Sequence, residues 1–380
     1  MKYIGFYDTL NNSKEDRHTS LAATNKMDYI ISILNGNGYD VEVISPSWTK
    51  GKEYLPGKSA QINNKTTLKL FPSLPWGNKG QKALSLLYNK AVVFLYLFFR
   101  IKSGEQVIVY HSLALMNTIL FLKKLKKIRL ILEVEEIYTD VGLSCKHLKR
   151  KEFDFFLLAE KFIFSTELLS EKLNKQGKPH AIIYGTYYVE YPRNVRFDDA
   201  RIHVVYAGTF DPRKGGASAA AAAEFLDENY HVHIIGFGTP KDKETLLQQI
   251  AQTSQRTKCK VTYDGLLKGE EFITFLQKCD IGLSTQTPDA EFNETSFPSK
   301  VLTYMANGLR VVSIRIRALA VSDVNKLIFY YDENTPQQIA AAIKSVNLSD
   351  KYDIRAKVNE LNSRFIDEMK EILELPNGQI

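Results

Sequence analysis

The stretch Phe297-Pro-Ser-Lys-Val-Leu-Thr-Tyr-Met-Ala-Asn-Gly308 decides how this chain is read. Pro298 suits the first turn of a helix, where its missing N–H costs nothing, and Ser296 is placed to cap it. Val301, Leu302, Met305 and Ala306 recur at helical spacing, and Gly308 is a fitting stop. The start of such a helix presents free N–H groups, and Lys300 stands beside them. Backbone dipole and one cation together make an anion site. The apolar run Arg310-Val-Val-Ser-Ile-Arg-Ile316 follows at once and reads as a strand. Helix then strand, with a phosphate-sized positive pocket, predicts a nucleotide-diphosphate binder on an α/β sheet.

A second anion site is expected upstream. Ile202-His-Val-Val-Tyr-Ala-Gly208 reads as a buried strand, Thr209 to Gly216 as a loop, and the alanine-rich run to Leu226 as a helix. Gly215 and Gly216 let a ligand approach the backbone, while Arg213 and Lys214 supply charge. The loop is not the Gly-x4-Gly-Lys-Ser/Thr pattern of P-loop proteins. Its plain reading is a helix-start turn with two solvated cations.

Between these sites the order stays regular. His231 to Gly236 is a strand, and Gly236-Phe-Gly238 a tight turn into a helix from Thr239 to about Gln255. Lys260 to Gly265 is a strand and turn, Glu270 to Lys278 an amphipathic helix, and Asp280 to Ser284 another strand. Taken in order, residues 202 to about 346 resemble the nucleotide-sugar domain of group 1 (family 4) glycosyltransferases, which have two facing Rossmann-like domains, the GT-B fold. In that family a Gly-Arg-Leu-x3-Lys-Gly loop grips the donor diphosphate. Gly208 and Lys214 match it; Thr209 stands at the arginine, and Arg213 is the nearby substitute. The family's Glu-x7-Glu signature falls on Thr295 and Thr303, with Glu294 adjacent to the first. The resemblance implies that Gly265 and Leu266 line the base through backbone groups. The donor set it implies is Gly208, Thr209, Arg213, Lys214, Gly265, Leu266, Glu294, Thr295, Ser296, Ser299, Lys300 and Thr303. It also implies a UDP-sugar as co-substrate and no cofactor. No Asp-x-Asp pair occurs to hold a divalent ion.

The N-terminal half has the same layer type. Strands are expected at Lys2–Asp8, Asp40–Ser45, Gln106–His111, Arg129–Glu135, Phe162–Ser165 and Ala181–Tyr184, with a helix from Ser20 to about Leu34. Residues 46–80, rich in Pro, Gly, Asn and Lys, read as a long irregular stretch. Strands alternating with helices give an α/β protein with parallel sheets covered on both faces. The expected division is an acceptor-side domain over 1–190, a polar linker from Pro192 to Ala200, a donor domain over 201–350, and a helix over 355–380 returning to the first domain. That helix has apolar spacing at Ile354, Val358, Leu361, Phe365 and Met369.

Ligand sites of parallel sheets form at the C-terminal ends of strands. His111 ends one strand there, and Glu135 and Glu136 end the next. A carboxylate at this place serves as a general base or holds sugar hydroxyls, and the imidazole donates to a hydroxyl or phosphate. Helix-start charge and a satisfied imidazole are the structural alternatives. Arg17 and His18, in the polar loop with Asn11 and Ser13, either bind a phosphate or acceptor or face water.

The sparse cysteines Cys145, Cys259 and Cys279 lack metal-ligand spacing and suit a reducing compartment. A basic segment followed by an apolar core is missing at the N-terminus, so no signal peptide is expected. The net charge of +7 calls for an acidic partner. No nucleic-acid motif accompanies the basic clusters at 123–129 and 146–151, which favours anionic lipid or a lipid diphosphate. The run Ala91–Phe99 is about half the roughly 20 residues that span a bilayer, and suits a buried helix or one dipping into a membrane face. The expected activity is metal-independent, retaining sugar transfer to a glycan or polyprenyl-diphosphate-linked acceptor in cell-surface polysaccharide synthesis, at the cytoplasmic membrane face. The alternative is a non-catalytic transferase fold that binds nucleotide or scaffolds a partner.

Overall fold

The structure is a computed structural model describing residues 1–9, 15, 17, 19–49, 51–141, 146–287, 295–349 and 353–374. The chain divides into two compact units. The first comprises Met1–Ser165, Leu169–Ile183 and Phe365–Ile380, and the second Thr166–Leu168 and Tyr184–Arg364.

In the first unit the strands are β1 (Lys2–Ile4), β2 (Val41–Ser45), β3 (Lys58–Asn63), β4 (Thr66–Leu70), β5 (Gln106–Tyr110), β6 (Arg129–Val134), β7 (Lys161–Phe164) and β8 (His180–Ile182). Its helices are α1 (Leu21–Gly36), α2 (Lys79–Arg100), α3 (Met116–Lys126), α4 (Tyr138–Val141), α5 (Lys146–Leu157) and α6 (Glu167–Leu173), the last beginning in the short segment that clusters with the second unit. The sheet runs β3-β4-β2-β1-β5-β6-β7-β8, parallel except for the β3–β4 hairpin. That hairpin replaces the irregular stretch expected over 46–80. β3 is mostly exposed and polar, so it carries no apolar alternation to betray it; Thr66, Leu68 and Leu70 of β4 do point inward. The core joins β-sheet residues such as Val107, Leu130 and Phe162 to one stripe of α2, Val93 and Leu97, and to Phe155 and Phe156 of α5.

The second unit has β9 (Ile202–Thr209), β10 (Tyr230–Phe237), β11 (Lys260–Gly265), β12 (Ile281–Ser284), β13 (Arg310–Ile314) and β14 (Ile328–Tyr331). Around them lie α7 (Gly216–Ala221), α8 (Pro240–Ser254), α9 (Gly269–Lys278), α10 (Lys300–Ala306), α11 (Arg317–Ala320) and α12 (Pro336–Lys344). The final helix, α13 (Ile354–Leu373), buries Ile354, Val358, Leu361, Phe365 and Met369, its residues from Phe365 onward belonging to the first unit. The sheet order β11-β10-β9-β12-β13-β14 is wholly parallel. Strand order therefore reverses between β9 and β12, the switch point where parallel sheets open a crevice.

The alanine-rich run is shorter as a helix than expected: α7 ends at Ala221 and a 3-10 turn continues to Phe225. Its alanines 219, 220, 222 and 223 are fully buried, so the small side chain here serves close packing as well as helix propensity.

Pairing of β9 with β12 stops at Val205↔Gly282. Beyond it the two strands are bridged by Tyr304 of α10, whose hydroxyl accepts from Ala207 N at 2.9 Å and donates to Leu283 O at 3.2 Å. The ring lies directly on Gly282, where a Cβ would stand 2.2 Å from a ring carbon. Gly282→Ala is expected to destabilise the chain by about 1–3 kcal/mol through overpacking. Urea unfolding of variant and wild type checks this; equal midpoints would mean that the ring is free to move.

Candidate functional site

Both elements expected to bind an anion converge on the switch point of the second unit. β9 ends in Gly208 and Thr209, and the chain turns through a 3-10 turn, Pro212–Lys214, into α7. Gly215 sits at φ +82°, and a Cβ there would overlap Thr285 O at 1.7 Å. Only glycine fits, because the loop lies against the segment leaving β12. Thr285 Oγ1 donates to Gly215 O at 2.7 Å, and Thr287 N donates to Arg213 O at 2.9 Å. Tyr206 Oη reaches Thr209 O at 2.9 Å and Lys214 O at 3.0 Å, pinning the loop from below. Gly208 and Gly236 also touch through backbone: a Cβ on Gly236 would stand 1.8 Å from Gly208 O.

Lys300 is the first residue of α10, whose N-cap position is Ser299, with no side-chain cap bond. The expected cap, Ser296, lies further out, because the segment at Pro298 makes one turn of its own, Val301 N to Pro298 O. Lys300 Nζ is buried, sits 4.0 Å over the Tyr206 ring, and has no hydrogen-bond partner among the described residues. A Cβ on Gly208 would be 3.2 Å from it. Burial, with the Lys214 charge adding, pulls the ammonium down to about 7. An unpaired ammonium is an expensive thing to bury, and an anion placed at Gly208 would relieve that cost.

The other expected donor residues have varied surroundings. The Arg213 guanidinium is held by Asp211 at 2.6 Å and its side chain is 67% exposed, so Lys300 is the cation beside Gly208. Gly265 has φ +90° and Leu266 is exposed at the end of edge strand β11. Thr295 accepts through its carbonyl from Thr166 Oγ1 at 2.8 Å. Thr303 Oγ1 turns back to Ser299 O at 3.3 Å. Glu294 lies outside the described residues, as do Asn11, Ser13, His18 and Cys145.

In the first unit the strand order reverses between β1 and β5, and the expected carboxylates lie beside that point at the end of β6. Glu135 pairs with Lys26 at 2.5 Å, and Lys26 also donates to Ile183 O at 2.8 Å. Two residues earlier, Glu133 is completely buried, accepts from the Tyr3 hydroxyl, and leaves Oε1 without a partner. Burial, then the Glu135 charge, push its carboxyl well above the usual range. Glu133 and Lys26 were not among the expected site residues; the signal for Glu133 is a carboxylate inside the apolar run Leu130-Ile-Leu-Glu-Val134. Glu136 is half-buried, and its charge, after burial itself, keeps the Tyr138 phenol protonated.

His111 was expected to reach a sugar hydroxyl or phosphate, and it turns inward. Its residue is 1% exposed, packed on Tyr138, Phe155 and Phe156, with Nε2 2.7 Å from Glu152 Oε1. Glu152 also accepts from Tyr138 N and Thr139 N at 2.9 and 3.1 Å. Burial would raise that carboxyl, but the bonds from His111 and Thr139 outweigh it and hold it low. The pair clamps the segment that follows Glu136. Arg17 is likewise internal, donating to Ser47 Oγ, Phe71 O and Pro56 O at 2.5, 2.9 and 2.7 Å, so its donors are occupied by the fold.

Comparison with known proteins agrees with this geometry. Residues 201–347 match the family model described as Glycosyl transferases group 1. No curated protein matches the sequence. Among solved structures, the E. coli trehalose-6-phosphate structure bound with UDP-2-fluoro glucose is 10% identical, with 98% of each chain covered and a TM-score of 0.68. A UDP-forming alpha,alpha-trehalose-phosphate synthase from Burkholderia xenovorans, in complex with glucose-6-phosphate, is 10% identical over 98% of this chain and 99% of that one, with a TM-score of 0.64. A trehalose-6-phosphate synthase studied with bisubstrate glycomimetics for glycosyl transfer with retention gives 10% identity, 98% and 97% coverage and a TM-score of 0.68. At such identities the likeness is one of fold. Residues 201–347 thus match the group 1 glycosyl transferase model, and the chain shares the two-domain GT-B fold of these structures along its length.

Proposed function

We propose that the switch point of the second unit holds the diphosphate of a UDP-sugar, and that the sugar passes to a glycan or polyprenyl-diphosphate-linked acceptor in cell-surface polysaccharide synthesis. The observation that carries the donor site is the buried, unpartnered ammonium of Lys300 beside Gly208. Lys214 and the Gly215–Gly216 backbone complete the cradle, and two cations there neutralise the leaving diphosphate without a catalytic metal. Thr209, Thr295, Ser296, Ser299 and Thr303 offer hydroxyls in place of the charged groups usual in the family, with Gly265 and Leu266 beside the base. The UDP-2-fluoro glucose of the E. coli structure and the glucose-6-phosphate of the Burkholderia xenovorans structure support a UDP-sugar donor and a phosphorylated acceptor.

Lys300 makes donor binding depend on pH in a definite direction. The free ammonium loses its proton near pH 7, and a bound diphosphate raises that value. UDP affinity is therefore expected to fall about tenfold per pH unit above 7, until the raised value is reached. Calorimetry in two buffers of different ionisation enthalpy should register proton uptake on binding. Lys300→Ala should flatten the profile, and both Lys300→Ala and Lys214→Ala should weaken UDP by about 1.5–3 kcal/mol while leaving uridine unaffected. Equal losses for UDP and uridine would move both lysines from phosphate binding to folding.

Transfer is proposed to retain configuration, with the departing phosphate oxygen taking the acceptor proton and Glu136 holding a sugar hydroxyl. Glu135 is tied to Lys26 and His111 to Glu152, so each acts by positioning. Turnover is assayed as UDP release from UDP-sugars without added magnesium or manganese. Glu136→Gln is expected to cost less than about tenfold, with the anomeric configuration kept by NMR. A loss of about 10²–10⁴-fold with an inverted product would make Glu136 the general base instead.

Peripheral contact with an anionic membrane is proposed for the outer face of α2. Among the described residues this helix is long and apolar enough to cross a membrane by length and composition. Ser85, Asn89, Val93 and Leu97 are its buried stripe, while Leu84, Leu87, Leu95 and Phe99 are exposed, as are Phe121 and Leu125 of neighbouring α3. Lys90, Lys124 and Lys126 lie on the same two helices. Flotation with phosphatidylglycerol vesicles should capture the chain, and Leu87→Glu with Phe99→Glu should release it. Equal flotation of the double variant would remove α2 from the contact.

A further inference from the structure

Three histidines lie together at the other end of the donor sheet. His203 is the second residue of β9, and His231 and His233 sit on the same face of β10, with His203 and His231 as direct neighbours in register. All are buried, and one ring nitrogen of each lies within 4.8 Å of the others. Gly208 is five steps along the strand from His203, about 16 Å at ~3.3 Å per residue, so the cluster is remote from the proposed diphosphate cradle.

The hydrogen bonds around these rings fix where the protons are. His203 Nε2 is 2.9 Å from Asp199 Oδ1, and His233 Nδ1 is 3.0 Å from Asp264 Oδ2. His231 Nε2 is 2.9 Å from Thr262 Oγ1, and the Thr262 hydroxyl donates to Asp264 Oδ2 at 2.8 Å. A carboxylate accepts only, and Thr262 has already given its proton away. Each outer ring nitrogen is therefore the donor, and each inner one carries a lone pair. Yet His203 Nδ1 and His233 Nε2 face one another at 2.9 Å. Two lone pairs do not approach so closely unless a cation lies with them.

We propose that this cation is a divalent transition-metal ion of the zinc class, bound by His203 Nδ1, His233 Nε2 and the inner nitrogen of His231. Neutral imidazoles suit zinc, copper or nickel and are poor ligands for magnesium or calcium. Asp199 and Asp264 stand behind two of the rings as the carboxylates that orient metal-binding histidines, Asp199 being paired as well with Arg201 at 3.1 Å. A proton shared by His203 and His233 would leave the inner nitrogen of His231 without a part. Phe197 stacks on His203 and His233 at 4.1 and 4.9 Å, and Phe275 of α9 meets His233 edge-on at 5.2 Å, so the ion would sit behind an aromatic wall. The site would staple β9, β10 and the segment before β9, which carries Phe197 and Asp199, and contribute stability instead of chemistry.

The test uses the full chain without an affinity tag, stripped with a strong chelator and passed through a desalting column after Zn²⁺ or Co²⁺ is added back. One metal per chain by mass spectrometry of the elements is expected, with a Co²⁺ visible spectrum free of thiolate charge transfer. Zn²⁺ should raise the thermal unfolding midpoint of the stripped chain. His233→Gln should abolish retention. Asp199→Asn, a near-isosteric change at an exposed position, should weaken Zn²⁺ about 10–100-fold while the far-UV circular dichroism stays unchanged. Retention of neither ion by the wild type would overturn the proposal. So would equal Zn²⁺ affinity in a folded Asp199→Asn chain, or NMR detection of one proton between His203 and His233 in the presence of excess Zn²⁺.

Discussion

The Tyr304 hydroxyl bridge is the constraint on which the donor half depends. A parallel sheet that reverses its strand order must part somewhere, and the parting exposes backbone groups that need partners. Here β9 and β12 part after Gly282, and one phenol satisfies Ala207 N and Leu283 O across the gap. The same contact seats α10 on the sheet, which carries Lys300 to the Tyr206 ring and Gly208. Gly282 is the complement to that ring, since any side chain there would push α10 off the sheet. Packing thus delivers an ammonium to a place where the fold offers it no acceptor.

The two units treat buried charge in opposite ways. In the first, carboxylates are compensated: Glu135 by Lys26, and Glu152 by His111 and two backbone amides. In the second, Lys300 has an aromatic face and no hydrogen-bond partner among the described residues. Paired groups hold a surface in shape, whereas an unpaired one is paid for by what it binds. That contrast also explains why the two ends of the donor sheet differ. At the strand starts two of the histidines carry carboxylates behind them, and at the end of β9 a buried ammonium lies beside glycine backbone.

Much of the architecture was legible in the chain. Apolar runs such as Ile202–Gly208 and Arg310–Ile314 are strands because a sheet covered on both faces needs uninterrupted hydrophobic residues. Gly215 was readable because close backbone approach demands that residue type. β3 was not readable, being a polar edge strand paired to β4, and β14 was missed among short elements near the chain end. Glu133, Lys26 and the three histidines were unreadable as sites for one reason: each gains its meaning from a partner far off in sequence.

The sequence by itself determined the α/β class, the order of the donor elements and the glycines and lysines at their ends, because these follow from local periodicity and conformational freedom. Tertiary structure alone decided which charges are spent and which are left open. Arg213 closes on Asp211, Arg17 on internal carbonyls and His111 on Glu152, while Lys300 has no hydrogen-bond partner among the described residues. A side chain's chemistry is written in its name, but its availability is set by whatever the fold packs within about 3 Å of it, the reach of a hydrogen bond.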